Sequence, residues 1–351
     1  MAGTPTPRPV DDWSHDLPWD APGVYTVAPG VHRLPLPLPD QGLQAVNVYL
    51  LEEEPGPVLV DSGHATTHAR QALAAGLGVL GYDERAVQRC LVTHVHRDHY
   101  TQAVELRRAH GLLRIALGAG ERASLAVAAD ESLDPLEAQL HLLRACGATE
   151  LARLNSGSDH GVPPGVWDEP DEWLHGQDTV KLGSRRLDVL ETPGHTRGHV
   201  VFRDDEAALL FAGDHVLPHI TPSIGFEPVS GPLPLGDYLT SLRLVRGYPD
   251  TWLLPAHGRV TRSVHERVDE LLEHHAERLT ASLVEILQGG RTAYDVATRL
   301  RWTRRQRRFT DLSPFNQMLA VLETKAHLDV LVDRRRLARA DDDGTLFYEA
   351  A

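Results

Sequence analysis

Residues 89–101 read Arg-Cys-Leu-Val-Thr-His-Val-His-Arg-Asp-His-Tyr-Thr. The stretch opens as a short apolar strand, Arg89–Thr93, and runs directly into His94-Val95-His96-Arg97-Asp98-His99. Four side chains able to bind metal therefore fall within six residues. A chain leaving a buried strand can aim such a cluster at one point, and imidazole with carboxylate forms a ligand set suited to zinc. Tyr100–His110 then has a helical pattern closed by Gly111.

Further along, single ligands recur, each after an apolar strand. His195 follows Val189-Leu190-Glu191-Thr192-Pro193-Gly194, Asp214 follows Leu209-Leu210-Phe211-Ala212-Gly213, and His257 follows Trp252-Leu253-Leu254-Pro255-Ala256. Upstream, the strand Pro57–Val60 ends in Asp61-Ser62-Gly63. The repeated order is a buried strand, small residues and one ligand. Open sheets place their sites at strand ends, so these segments can converge.

On these residues the sequence resembles the metallo-β-lactamase-fold hydrolases across most of residues 23–260. Asp61, the His94–His99 motif, Thr192-Pro193-Gly194-His195-Thr196, Gly213-Asp214-His215 and His257 stand in the family's order. The resemblance implies an α/β fold, an αββα sandwich of two sheets packed face to face with helices outside. It implies two zinc ions per chain, with iron or manganese as alternatives. His94, His96 and His195 would hold one ion; Asp98, His99 and His257 would hold the other; Asp214 would bridge them. Asp61 would orient ligands from behind. Two such metals lower the pKa of a shared water and polarise a substrate oxygen, so a metal-bridging hydroxide would attack the substrate, with Asp98 aligning it as the catalytic carboxylate.

Departures within the family narrow the expectation. True metallo-β-lactamases lack a bridging Asp at the position of Asp214, and flavin-linked di-iron members replace His96 by Glu. Glyoxalase II-like thioesterases often have two Gly where Tyr100 and Thr101 stand. The nearest resemblance is to glyoxalase II-like proteins with a C-terminal winged-helix-like module. The implied activity is hydrolysis of an ester-like bond, a thioester or a lactone, in a small acyl substrate. A single-strand-specific RNA nuclease and an iron-dependent sulfur dioxygenase are the alternatives, and a regulatory module using a winged helix on DNA is a third reading. Tyr100, His215 and His219 are candidate substrate contacts.

Composition agrees with a globular enzyme. The chain has 351 residues, 42% of them hydrophobic, and a net charge of −14. That charge argues against wholesale nucleic-acid coating and against permanent attachment to an acidic membrane. Cys90 and Cys146 make no disulfide framework and read as buried small side chains. The Pro- and Asp-rich start has no apolar run, and no stretch reaches the roughly 18 apolar residues of a membrane span, so a cytoplasmic protein without a membrane partner is expected.

The organisation reads as a flexible arm over residues 1–22 and a catalytic domain over 23–262. Within it, 118–177 reads as a helical insertion with few large apolar side chains. A connecting helix over 263–288 opens with the capping box Ser263-Val264-His265-Glu266. A winged-helix-like module covers 289–351, with Thr292 and Ser313-Pro314 starting its helices and a hairpin turning at Asp341-Asp342-Asp343-Gly344. His274 and His275 read as surface residues of the connecting helix. Arg301, Arg304, Arg305, Arg307 and Arg308 form one basic run and Arg334–Arg336 another. Both read more readily as solvated faces than as nucleic-acid contacts, since Asp329, Asp333 and Asp341–Asp343 lie beside the second.

Overall fold

The computed structural model describes residues 10–13, 16–39, 42–111, 113–134, 136–157 and 165–351. The first sheet runs in chain order through β1 (Val10–Asp11), β2 (Tyr25–Ala28), β3 (Val31–Pro37), β4 (Ala45–Leu51), β5 (Val58–Val60), β6 (Arg89–Val92), β7 (Arg114–Gly118) and β8 (Glu172–Leu174). The second comprises β9 (Thr179–Lys181), β10 (Arg186–Glu191), β11 (Val200–Asp204), β12 (Leu209–Gly213) and β13 (Trp252–Pro255), paired in the order β13-β12-β11-β10-β9.

Strand β4 shows how the sequence builds the layers. Its side chains alternate, as a pleated strand requires. Tyr49 and Leu51 enter the core between the sheets, where they join Val60, Leu91, Val189, Phe202, Phe211 and Leu254. Val46, Val48 and Leu50 instead pack against α1 (Thr67–Val79) and α2 (Arg97–His110). Both faces are covered, so apart from Asn47 the strand reads as an apolar run. On the far side, Val201, Leu210, Ala212 and Leu253 pack beneath α6 (Pro234–Arg246) and α7 (Val264–Leu287). The order of layers is helix, sheet, sheet, helix, as expected.

Two expectations change, and the packing of the tail comes into view. The described part of the arm is not free: Val10 and Asp11 pair in parallel with Tyr25 and Thr26, and Asp12 is buried against the guanidinium of Arg33. Residues 1–9 lie outside the described residues. The insertion contributes α3 (Arg122–Ala129), α4 (Glu137–Ala145), α5 (Thr149–Asn155) and the edge strand β8, and it buries more than its composition suggests. Leu140, Leu143 and Leu151 share one core with α8 (Ala293–Arg299) and α9 (Pro314–Asp333). The tail therefore does not stand apart: α9 packs on α4, α5, α6, α7 and α8, and the small hairpin β14 (Leu337–Asp342)–β15 (Thr345–Ala350) follows it.

The same packing corrects His275. A helix covered on two sides needs two inward faces, and His275 lies fully buried between α7 and α9. The His327 Nδ1–H donates to Glu323 O, which leaves its Nε2 to accept from His275 Nδ1 at 3.1 Å. The helix starts match the sequence signals: the Ser263 hydroxyl accepts from Glu266 N, Thr292 and Asp295 form a reciprocal capping box, and Pro314 follows the N-cap Ser313.

Candidate metal centre

Strand register delivers the ligands. Val60 of β5 lies beside Leu91 of β6 in a parallel pair, so Asp61 and Thr93 leave the sheet together. In the second sheet Gly213 of β12 lies beside Pro255 of β13, so Asp214 and His257 emerge side by side. His195 sits in the loop between the antiparallel strands β10 and β11. Gly213 has to be glycine: its φ is 51°, and a Cβ there would lie 2.6 Å from Thr93 Oγ1 and 2.8 Å from His199 Nε2. Helix α2 begins at Arg97, three residues before its sequence pattern, which places Asp98 and His99 in its first turn.

Two groups of donor atoms result: His94, His96, His195 and Asp214 in one, Asp98, His99 and His257 in the other. In the first, His96 Nδ1 lies 3.0 Å from His94 Nε2 and 3.1 Å from His195 Nε2. Zinc–nitrogen bonds of ~2.0–2.1 Å in a tetrahedron separate ligand atoms by roughly 3.3–3.4 Å. In the second, His257 Nε2 lies 3.4 Å and His99 Nε2 3.7 Å from Asp98 Oδ2. Asp214 stands between the groups: Oδ2 is 3.5 Å from His195 Nε2, and Oδ1 is 3.4 Å from His257 Nε2 and 3.7 Å from His99 Nε2. His99 Nε2, His257 Nε2 and Asp214 Oδ1 are buried without a hydrogen-bond partner. Buried polar atoms are seldom left so; a cation satisfies all three, and the residues fit a pair of divalent ions.

Three of the histidine ligands are fixed from behind. His195 Nδ1 donates to Ser223 O at 2.7 Å and His257 Nδ1 to Ala45 O at 2.8 Å, which leaves Nε2 of each as the lone-pair atom. His99 Nδ1 lies 2.9 Å from Asp61 Oδ2, while Asp61 Oδ1 accepts from Thr93 N at 2.8 Å. Asp61 itself holds φ at 58°, a strained value for a residue with a side chain. Burial, with the neighbouring imidazoles, keeps His94 well below its ordinary pKa and His96 at about 3, so both are neutral ligands. At His99, burial is outweighed by Asp61, Asp98 and Asp214, and its pKa rises to about 10. The field that holds a proton there favours a divalent cation in its place, with release of the proton.

Of the other predicted contacts, His219 is exposed on the loop after Asp214. Tyr100 and His215 are not at the opening. Tyr100 is fully buried, donates to Asp168 O and stacks on Trp167, because its position in α2 faces the core. His215 is fully buried beside Tyr238 and His199. Cys90 and Cys146 are buried and free. Of the His94–His99 motif only His96, Arg97 and Asp98 are partly exposed, which sets the side from which a substrate reaches the centre.

Three buried residues beside the centre escape the sequence reading. His199 stacks on His94 with centroids 5.0 Å apart and accepts the Asp214 N–H at Nε2, so it supports a ligand from each sheet. Its signal was the second His four residues after His195. His64 is buried near Arg97 and Asp98. Glu121 is buried between the two ligand loops, accepting from the Thr196 hydroxyl and from the Val95 backbone. Burial, against those bonds and aided by Glu227, pushes its carboxyl from an ordinary 4.5 to about 8. The folded state thus binds the proton more tightly. The stability Glu121 contributes is complete below about pH 4.5 and is lost as pH rises through about 8. Glu121→Gln keeps the shape without the charge. Its melting temperature relative to the parent should rise between pH 5 and pH 9, whereas a constant difference would show that Glu121 is ionised throughout.

With the site in view, the comparisons agree. The metallo-beta-lactamase superfamily model matches residues 42–257, and the chain belongs to that superfamily. Both groups of donor atoms lie within the matched residues. A metallo-beta-lactamase family protein from Thermus thermophilus superposes with a TM-score of 0.76 at 30% identity, covering 93% of this chain and all of that one. A beta-lactamase-like protein 2 homolog from Caenorhabditis elegans is 27% identical over 236 residues, 67% of this chain and 63% of the worm protein, so the match spans less than two thirds of that relative. An acyl-coenzyme A thioesterase from Gallus gallus is 30% identical over 176 residues, 43% of this chain and 62% of its own. Among the described residues no helix is long and apolar enough to cross a membrane.

Proposed function

We propose that the protein hydrolyses an ester-like bond in a small acyl substrate, a thioester first and a lactone second, as a glyoxalase II-like enzyme. The observation that carries this is Asp214, whose two oxygens face separate ligand groups. Two zinc ions, one with His94, His96 and His195 and one with Asp98, His99 and His257, would supply an activated water and polarise the scissile carbonyl.

The chain's own residues do the rest. Asp98 is partly exposed, and although burial opposes it, the charges of His99 and His257 hold its carboxylate well below the usual range. It is therefore ionised and able to accept a hydrogen bond from the attacking water at the open side. Asp61, His199, Ser223 O and Ala45 O hold the ligands so that binding needs little rearrangement. The similarity to the chicken thioesterase supports the choice of thioester. Residues 289–351 we read as a winged-helix-like module that braces the catalytic half. Cleavage of single-stranded RNA is a second reading, favoured by the exposure of Arg301, Arg304, Arg305, Arg307 and Arg308.

The test is a panel of thioesters, lactones and a single-stranded oligoribonucleotide with the zinc-loaded protein and its His257→Ala variant. Thioester cleavage that disappears in the variant is expected. RNA cleavage that weakens steeply with salt, without thioester cleavage, would replace the proposal by the nuclease reading.

A further inference from the structure

The loop that carries His195 brings a ligand of the second sheet to ligands of the first. It joins β10 to β11 and is closed at its base, where Thr192 N donates to His199 O at 2.8 Å. One flank rests on α6, whose Ser241 hydroxyl donates to Pro193 O at 2.9 Å. The other flank, Thr196-Arg197-Gly198, meets the first sheet. Strand β7 lies beside β6 in a parallel pair, with Leu117 opposite Val92. The turn Ala119–Glu121 therefore leaves that sheet next to the segment of His94 and His96.

Two buried carboxylates grip this flank; Glu121 is 0% exposed and Glu227 2%. The Thr196 hydroxyl donates to Glu121 Oε1. The Arg197 N–H donates to Glu227 Oε2 at 2.9 Å, and the Ser124 hydroxyl reaches the same oxygen at 3.4 Å. Ser124 lies one helical turn after Glu121, so both carboxylates are tied to the start of α3. Glu227 also belongs to the loop whose Ser223 O accepts from His195 Nδ1. The backbones meet closely: a Cβ at Gly198 would lie 2.0 Å from Glu121 N and 2.6 Å from Glu121 Cγ.

His195 Nε2 stands 3.1 Å from His96 Nδ1 although the two ligands come from different sheets. Ser223 O fixes the rotation of the His195 ring, but it does not fix how far the loop stands from the first sheet. Further on, Val200 N donates to Thr93 O at 2.9 Å. Nearer the ligand, Thr196 follows His195 directly, and its bond to Glu121 spans the gap between the sheets. The other ligand group has its own supports, Asp61 behind His99 and Ala45 O behind His257.

We infer that Glu121 is a positioning residue for one of the two metal positions. Through Thr196, and with Glu227 holding Arg197, it sets His195 against His94 and His96. It thereby tunes the zinc affinity of that group and leaves the group of Asp98, His99 and His257 unaffected. The inference rests on the reading of the centre as a two-ion site.

The test is zinc binding, measured by competition with a chromophoric chelator on the full-length protein freed of metal. Thr196→Val is nearly isosteric and removes only the hydroxyl, Glu121→Ala removes its acceptor, and Glu121→Gln keeps an acceptor in place. The parent should take up two zinc ions. Thr196→Val and Glu121→Ala should weaken one of them by about 10-fold, the lower end of what loss of a supporting partner costs. Glu121→Gln should bind both as the parent does, and circular dichroism should be native throughout. Two backgrounds assign the position. With His257→Ala the remaining ion is held by the three-histidine group, and adding Thr196→Val should weaken it by the same factor. With His195→Ala, adding Thr196→Val should change nothing. Parent-like binding in both Thr196→Val and Glu121→Ala would overturn the inference, as would equal weakening in the two backgrounds, which is the mark of a general loosening of the fold. A parent that binds no zinc would sink the two-ion reading and the inference with it. The predicted shift in a protein that cleaves no ester would uphold the inference and sink the proposed activity alone.

Discussion

Replacing Asp214 by Ala is expected to strip the centre of metal and abolish turnover. Among the described residues no other side chain presents one oxygen to each ligand group, at 3.5 Å from His195 Nε2 and 3.4 Å from His257 Nε2. Its loss removes a ligand from both positions and one of the negative charges that balance two dications. Loss of a group that merely supports a ligand typically costs about 10- to 100-fold in metal affinity or activity, so loss of a shared ligand should exceed about 100-fold. The fold should survive, because Asp214 lies at the end of β12 while the core is made by Leu209, Leu210 and Phe211. Circular dichroism with elemental analysis checks this: native spectra with little metal are expected, and a metal content equal to the parent's would show that Asp214 is not shared.

The second large effect is expected far from the metals, at Arg33→Met. Arg33 and Asp12 are both buried, with side chains 0% and 1% exposed. The guanidinium also donates to Trp19 O and to Asn47 Oδ1, and Asn47 Nδ2 bonds Pro255 O at 2.9 Å and Gly258 O at 2.8 Å. The residues Asn47 grips flank His257, so a chain of polar contacts runs from the N-terminal segment to a metal ligand. Removing one member of a buried ion pair costs about 3–5 kcal/mol, because the other charge stays buried without it. Arg33→Met should lower the denaturation midpoint accordingly and weaken metal retention. The double variant Asp12→Asn, Arg33→Met should recover part of the loss. A single variant as stable as the parent would contradict this role.

These two sites show how far the sequence could be read. The metal-binding segments were legible because each segment follows an apolar strand, and strand ends are where open sheets gather side chains. The layers were legible in strands such as β4, apolar on both faces. The Asp12–Arg33 pair left no such sign: the partners are 21 positions apart and belong to no period. His275 was misread for a related reason, since the helix that covers it, α9, lies some 50 residues on and its packing partner cannot be seen in α7 alone. Tyr100, a candidate contact that as an aromatic on a helix also suited the core, lies buried in α2. Glu121 looks like an ordinary polar residue until the loops of His94 and His195 close around it.

The most direct test of the account is the metal content of the purified full-length protein, measured by elemental analysis after exchange into metal-free buffer. Two groups of ligands sharing Asp214 predict about two zinc ions per chain. About one iron per chain, with oxygen consumed in the presence of a thiol, would contradict the account and place the centre in oxygen-dependent sulfur chemistry.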